Sequence, residues 1–324
     1  MENFSDQEKK ITNNNRWLKW TFLEAGTRAV NKALQKVIGV TSSSIGHTFY
    51  AIFLVGLVQT VVGSAVIIFK KKKVLVESTH LIGALLFGIL AFFCTTVSFI
   101  VFLYGGEVGV NTFIITLSIV PGAFIDWIFF KHRLFTRQWL GVMIAIWSGY
   151  FVLNCPSLKE VMHLPLWVFL SLATMMAVAI NQGITQKIKR IDPMVKNFWG
   201  GLMTAILGIG GLLWFNLHYS LNFSDFIRGF PSKLIWISII FGIIVILMWI
   251  FNLLAYKGGA YIALKKLVMN GSYLTMAMII GILLFGEAFT IYKLLGFLFY
   301  CFAFILMDSK TWNFITGKFQ VVSK

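Results

Sequence analysis

Acidic residues are scarce in this chain: 12 Asp and Glu stand against 28 Lys and Arg in 324 residues, and charged residues of both signs make up only 12% of it. With 58% hydrophobic residues and a mean hydropathy of +0.82, so little charge excludes an ordinary soluble domain, in which about a quarter of residues are charged. The three cysteines, Cys94, Cys155 and Cys301, are scattered, which offers no close pair for a metal or redox centre. The five histidines form no i,i+4 pair, so no helical metal site is expected. A GxxxxGK[ST] run is absent, which argues against ATP-driven chemistry by this chain alone. No Ser-His, paired-carboxylate or metal constellation stands in the apolar segments, so neither an enzyme nor a cofactor is expected.

What is present is a series of apolar runs of about 20 residues, the length that crosses a bilayer as a helix. The first sixteen residues, MENFSDQEKKITNNNR, lack the order of a cleavable signal and are expected to be retained. Apolar runs and their breaks place spans near 17-38, 46-69, 80-104, 108-130, 138-154, 165-187, 197-217, 233-256, 260-285 and 290-308. The expected fold class is an all-α integral membrane protein with ten transmembrane helices. Every second break is basic: KKKK at 70-73, KHR at 131-133, KIKR at 187-190. With a cytoplasmic N-terminus, eighteen Lys and Arg fall inside, Lys196 among them, and only Lys159, Arg228, Lys233 and Lys293 fall outside. That bias sets both termini in the cytoplasm. The net charge of +16 then reflects topology and anionic lipid at the inner leaflet, and no nucleic-acid partner is implied.

The order of features in FLYGGEVGVNTF (102-113) and onward recurs in LAYKGGAYIALKK (254-266) and onward: an aromatic at a helix end, paired glycines, a polar-flecked helix, then Phe-Thr and a glycine-led helix. Tyr104 and Tyr256 are 152 residues apart, Gly141 and Gly296 are 155 apart. The chain divides as residues 1-160 and 161-324, a five-helix unit each. Because five is odd, the second copy is inverted relative to the first, the plan secondary transporters use for alternating access.

The segment LLFGEAFTIYKLLGFLFYCFAFILM (283-307), a Gly-Glu turn followed by Thr and a glycine-led last helix, resembles the end of each repeat in EamA-type transporters of the drug/metabolite transporter (DMT) superfamily. The resemblance covers nearly the whole chain and implies five-plus-five inverted helices and transport of a small metabolite, while the abundance of Lys, Ile, Asn and Phe points to a bacterium and so to its inner membrane. The chain departs from the pattern in carrying His132 and Arg133 where a glutamate is usual, and in having Pro121 in the fourth helix with no counterpart in the ninth.

Charge embedded in apolar helices marks the candidate site. Glu24, Arg28, Lys32 and Lys36 are spaced by four, which on a helix keeps them on one face with Asn31 and Gln35 beside them. A charged residue at a helix centre costs about 2.5 to 3.5 kcal/mol on insertion scales, so this segment either lies in the interface or crosses with its polar face on an aqueous cavity. Crossing is favoured, because a non-crossing first helix would strand Lys9, Lys10 and Arg16 outside. In the ninth helix Lys266, Asn270 and Tyr273 share a face behind Lys265. The alternative there is that both lysines snorkel to the cytoplasmic interface. Asn111, Asn181, Gln182, Trp249, Asn252 and Tyr256, with Thr95, Thr96 and Ser98, complete a possible lining.

Several intramembrane cations facing so few acids imply an anionic substrate, such as an organic phosphate, a nucleotide-like compound or a carboxylate, with Arg28 as the bidentate clamp. The alternatives are a zwitterion or cation transporter, with Glu24 as counter-ion and Trp20, Trp249 and Tyr256 as an aromatic cage, and a membrane enzyme or subunit acting on lipid-linked substrates. The partners implied are a small-molecule substrate and membrane lipids. Coupling to a proton or counter-substrate and a homodimeric assembly are both compatible with this plan.

Overall fold

The structure, a computed structural model, describes residues 16-131, 136-155, 160, 163-219, 229-260, 262-307 and 312. The departures at His132 and Arg133 lie outside the described residues. Every regular element among those described is an α-helix: α1 (Arg16–Thr41), α2 (Ile45–Phe69), α3 (Ser78–Leu103), α4 (Val108–Thr116), α5 (Ile119–Phe129), α6 (Thr136–Val152), α7 (Leu166–Lys187), α8 (Pro193–His218), α9 (Ser232–Lys257), α10 (Ile262–Phe285) and α11 (Ile291–Met307).

Among the described residues seven segments are long and apolar enough to cross a membrane: α2, α3, α4 with α5, α7, α8, α9 and the 268-285 part of α10. Their outer faces remain apolar, with Phe69, Leu217 and Trp236 each more than 60% exposed. A surface like that is tolerated in lipid and not in water. The chain is an α-helical membrane protein.

Local chemistry sets the ends of these helices. Ser44 caps α2 by accepting from His47 N, and Asp192 caps α8 by accepting from Met194 N at 2.8 Å, with Pro193 at the first helical position. Partial burial pushes the Asp192 carboxyl up, but Lys72 Nζ at 2.5 Å and the capped backbone N–H groups outweigh it and hold it below its ordinary value. The fourth apolar run is not one helix but two. Pro121 has no N–H and its ring excludes the carbonyl four residues back, so the ladder breaks at Leu117 and Ser118, and Val120 N closes a tight turn on Leu117 O at 2.9 Å. All nine residues of α4 are buried, which places it at the centre of the bundle.

The packing partners form a matched set. α2 packs on α8, and α6 on α11; α1 packs on α9 as α7 does on α3; α3 packs on α8 as α9 does on α2; α1 packs on α10 as α7 does on α4 and α5. Glycines set the α2–α8 contact, where a methyl group at Gly201 would meet Gln59 Cβ at 2.6 Å and one at Gly208 would meet Phe53 Cα at 2.8 Å. The helices α3 and α9 end alike. Gly105 (φ 83°) and Gly259 (φ 98°) take the left-handed conformation that glycine allows, and Gly106 N and Ala260 N each return to the carbonyl five residues back.

One end of the bundle carries the Lys72–Asp192 pair and the approach of Trp17 to Gly258. At the other end Lys36 Nζ donates to Gly106 O, Lys293 pairs with Glu107, and the Glu287 carboxylate accepts from Val108 N and Gly109 N. Glu287 thus caps α4 from the α10–α11 turn, an anion on a helix N-terminus.

Candidate functional site

The α1 stripe is packed into the bundle against α9, α10 and α3. Thr21, Glu24, Asn31, Lys32 and Gln35 are buried, while Phe22, Leu23 and Val30 on the opposite face are exposed. Sequence amphipathicity therefore points inward, with the apolar face outward.

A cavity of about 90 Å³ lies between α1, α3, α4, α7, α9 and α10, several times the volume one water requires. Its walls include Arg28, Asn31, Lys32 and Gln35 from α1, Cys94, Thr95 and Ser98 from α3, Thr174, Asn181 and Gln182 from α7, Trp249 and Asn252 from α9, and Tyr273 from α10. Two cations and several amides line it, and no carboxylate among the described residues does.

Glu24 lies behind Arg28, fully buried. Its Oε1 accepts from Arg28 Nε at 2.8 Å and from Asn252 Nδ2 at 2.9 Å, and its Oε2 faces Lys265 Nζ at 2.7 Å. Gln182 Oε1 gathers three donors: Asn252 Nδ2 at 3.0 Å, Tyr256 OH at 2.8 Å and Lys265 Nζ at 3.3 Å. The Lys265 ammonium also stands 4.2 Å from the Tyr256 ring centre. This network joins α1, α7, α9 and α10 at one wall of the cavity.

Of the residues singled out by sequence, Arg28, Asn31, Lys32, Asn181, Trp249, Asn252 and Tyr273 line the cavity, and Glu24, Tyr256 and Lys265 form the network behind it. Asn111, Lys266 and Asn270 are placed elsewhere. Asn111 Nδ2 donates to Ser171 Oγ at 2.6 Å, joining α4 to α7. Lys266 Nζ donates to Ser118 Oγ, and Asn270 Nδ2 to Thr116 O at 2.9 Å. Both thus secure the α4–α5 break, where the open carbonyls at the end of α4 suit a cation. Neither lysine of the pair snorkels, for Lys265 and Lys266 are 0% and 1% exposed. Thr96 is buried outside the cavity wall, and Trp20 stacks on Phe251 at 5.9 Å instead of joining Trp249 and Tyr256.

Two residues escaped the sequence reading. Lys196, assigned to a cytoplasmic loop, is a fully buried member of α8, its Nζ 3.2 Å from Thr185 Oγ1 and 3.6 Å from the Phe87 ring centre. Asp192-Pro193 was the available signal, since a cap residue followed by proline starts a helix and puts Lys196 one turn inside it. Phe87 lines the cavity and meets Trp249 edge to face at 4.4 Å. No local signal distinguishes such an aromatic from a core residue.

No protein-family model matches the chain, and no curated protein matches it. Among solved structures, one described only as a crystal structure of a protein superposes on 88% of this chain and 97% of its own with a TM-score of 0.58 at 12% identity. That likeness shows a shared fold.

Proposed function

We propose that the chain is a secondary transporter that moves a small polar anion by alternating access, built on the EamA-type plan. Its ten spans are α1, α2, α3, α4 with α5, and α6 through α11, as two inverted five-helix repeats with both termini cytoplasmic in a bacterial inner membrane. The matched packing of α1–α9 with α3–α7 and of α3–α8 with α2–α9 supports the repeat, as do the like turns at Gly105 and Gly259. In this plan α1 crosses despite its charges, because they face protein and cavity instead of lipid.

One observation carries the choice of substrate sign: Arg28 and Lys32 line the cavity, and no carboxylate among the described residues lines it with them. An anion entering there meets an excess of positive charge, since Glu24 alone answers both Arg28 and Lys265 and no carboxylate among the described residues pairs with Lys32, in a low-dielectric setting where charge pairing is strong. The cation reading is less well supported, since Glu24 is withdrawn from the cavity by Arg28, Lys265 and Asn252, and the aromatic cage is not assembled. A thermal-shift panel on the purified protein tests the assignment, because ligands that bind only the folded state raise its melting temperature. Phosphorylated and carboxylated metabolites are expected to stabilise it, with the shift lost in Arg28→Ala; stabilisation by quaternary amines that depends on Glu24 would favour the rival.

A further inference from the structure

The polar groups of the cavity wall carry more than a sign. In the network behind the wall, Lys265 can only donate, which fixes Gln182 Oε1 as an acceptor and turns its partner Asn252 so that Nδ2 does the donating. Nδ2 is then spent on Gln182 and Glu24, both acceptors. Asn252 Oδ1 is the atom left over. Asn252 is 2% exposed and its Oδ1 has no hydrogen-bond partner among the described residues. On the same cavity wall Asn181 Oδ1, on α7, is a second buried acceptor without a hydrogen-bond partner among the described residues. On the α1 side the free group is of the opposite kind, the Asn31 Nδ2 donor beside Arg28 and Lys32. Buried polar atoms left unpaired cost free energy comparable to a lost hydrogen bond, and the three at this wall differ by side: a donor beside the cations on α1, acceptors on α7 and α9.

Resting on the anion reading above, we propose that the substrate is a hydroxylated anion, its acid group held by Arg28, Lys32 and Asn31 and its hydroxyl groups donating to Asn252 Oδ1 and Asn181 Oδ1. A simple carboxylate or phosphate ester without hydroxyls leaves those two acceptors unpaired. An ammonium group is the wrong donor, since Arg28, Lys32 and Lys265 repel it and Glu24 is already matched by Arg28 and Lys265. Hydroxyls supply neutral donors, and the adjoining Phe87 and Trp249 rings offer an apolar wall for their carbon skeleton.

The test compares small anions matched except for hydroxyls: glycerol 3-phosphate against propyl phosphate, and glycerate against propionate, with affinities read from thermal shifts of the full-length protein in detergent. The hydroxylated member of at least one pair is expected to bind about tenfold tighter or more, since a site built to bond a hydroxyl rejects the analogue lacking it. Asn181→Val and Asn252→Val should shrink that ratio toward one, through weaker binding of the hydroxylated member. Should Asn252→Val fail to fold, through loss of its bond to Glu24, Asn181→Val decides. Equal binding of pair members that Arg28→Ala abolishes, or a ratio that the folded asparagine variants leave unchanged, overturns this proposal alone. Binding of neither pair, or binding that survives Arg28→Ala, overturns the anion reading and this proposal with it.

Discussion

Glu24 shows how a single carboxylate governs its surroundings. It is fully buried, and its two oxygens answer Arg28 on one side and Lys265 on the other. Removing one partner of a buried charge set leaves the others uncompensated and costs about 3 to 5 kcal/mol. Glu24→Gln is therefore expected to lower the melting temperature of the purified protein markedly, and adding Lys265→Met to recover part of the loss; no recovery would mean that the carboxylate acts through hydrogen bonds alone. The face of α1 that holds this chemistry was legible in the sequence, because a four-residue spacing of charges has one meaning on a helix. The roles were less so. Lys265 and Lys266 are adjacent in sequence and serve different sites, one the Glu24 network and the other the α4–α5 break. Their separation follows from the 100° turn between neighbours, and which of the two faces which site depends on how α10 is rotated in the bundle, a property of the packing.

At the scale of elements, helix positions were readable from apolar runs and their basic breaks, and the largest departure, the start of α8 at Pro193 in place of residue 197, lies where a polar first turn hides a helix. The break between α4 and α5 was signalled by Pro121 but not its use, since only the folded chain brings Lys266 and Asn270 to it. The cap on α4 was equally hidden. Glu287 sits in the FGEAFT turn, 178 residues from the Gly109 N–H it accepts from, a pairing no local pattern reports. Glu287→Ala is expected to destabilise the protein by about 1 kcal/mol, the scale of a lost helix cap, while Glu287→Gln, which retains acceptor oxygen without charge, should cost less. A thermal melt of the two variants side by side checks the order; equal losses would assign the effect to charge alone.

For the whole molecule, the central claim is that a cationic, water-accessible cavity lies within a bundle of two inverted halves. Orientation is checked by reporter fusions in a bacterial host: alkaline phosphatase joined after residue 155 should be active and joined after residue 190 inactive, and the reverse pattern would invert the assigned topology. The spacing of Tyr104 to Tyr256 and of Gly141 to Gly296 is what points to two halves in the sequence, yet the cavity draws on six helices, and its walls emerge only from their packing. The most direct measurement places a reporter thiol on that wall. In a protein with Cys94, Cys155 and Cys301 replaced by serine, Thr95→Cys presents one thiol to the cavity, and its reaction in membranes with an anionic methanethiosulfonate is compared with that of a cationic one. A focused positive field draws anions in, so the anionic reagent is predicted to react faster, and the preference to shrink or vanish in Arg28→Ala. A thiol that reacts with neither reagent, or that prefers the cationic one, would contradict the claim.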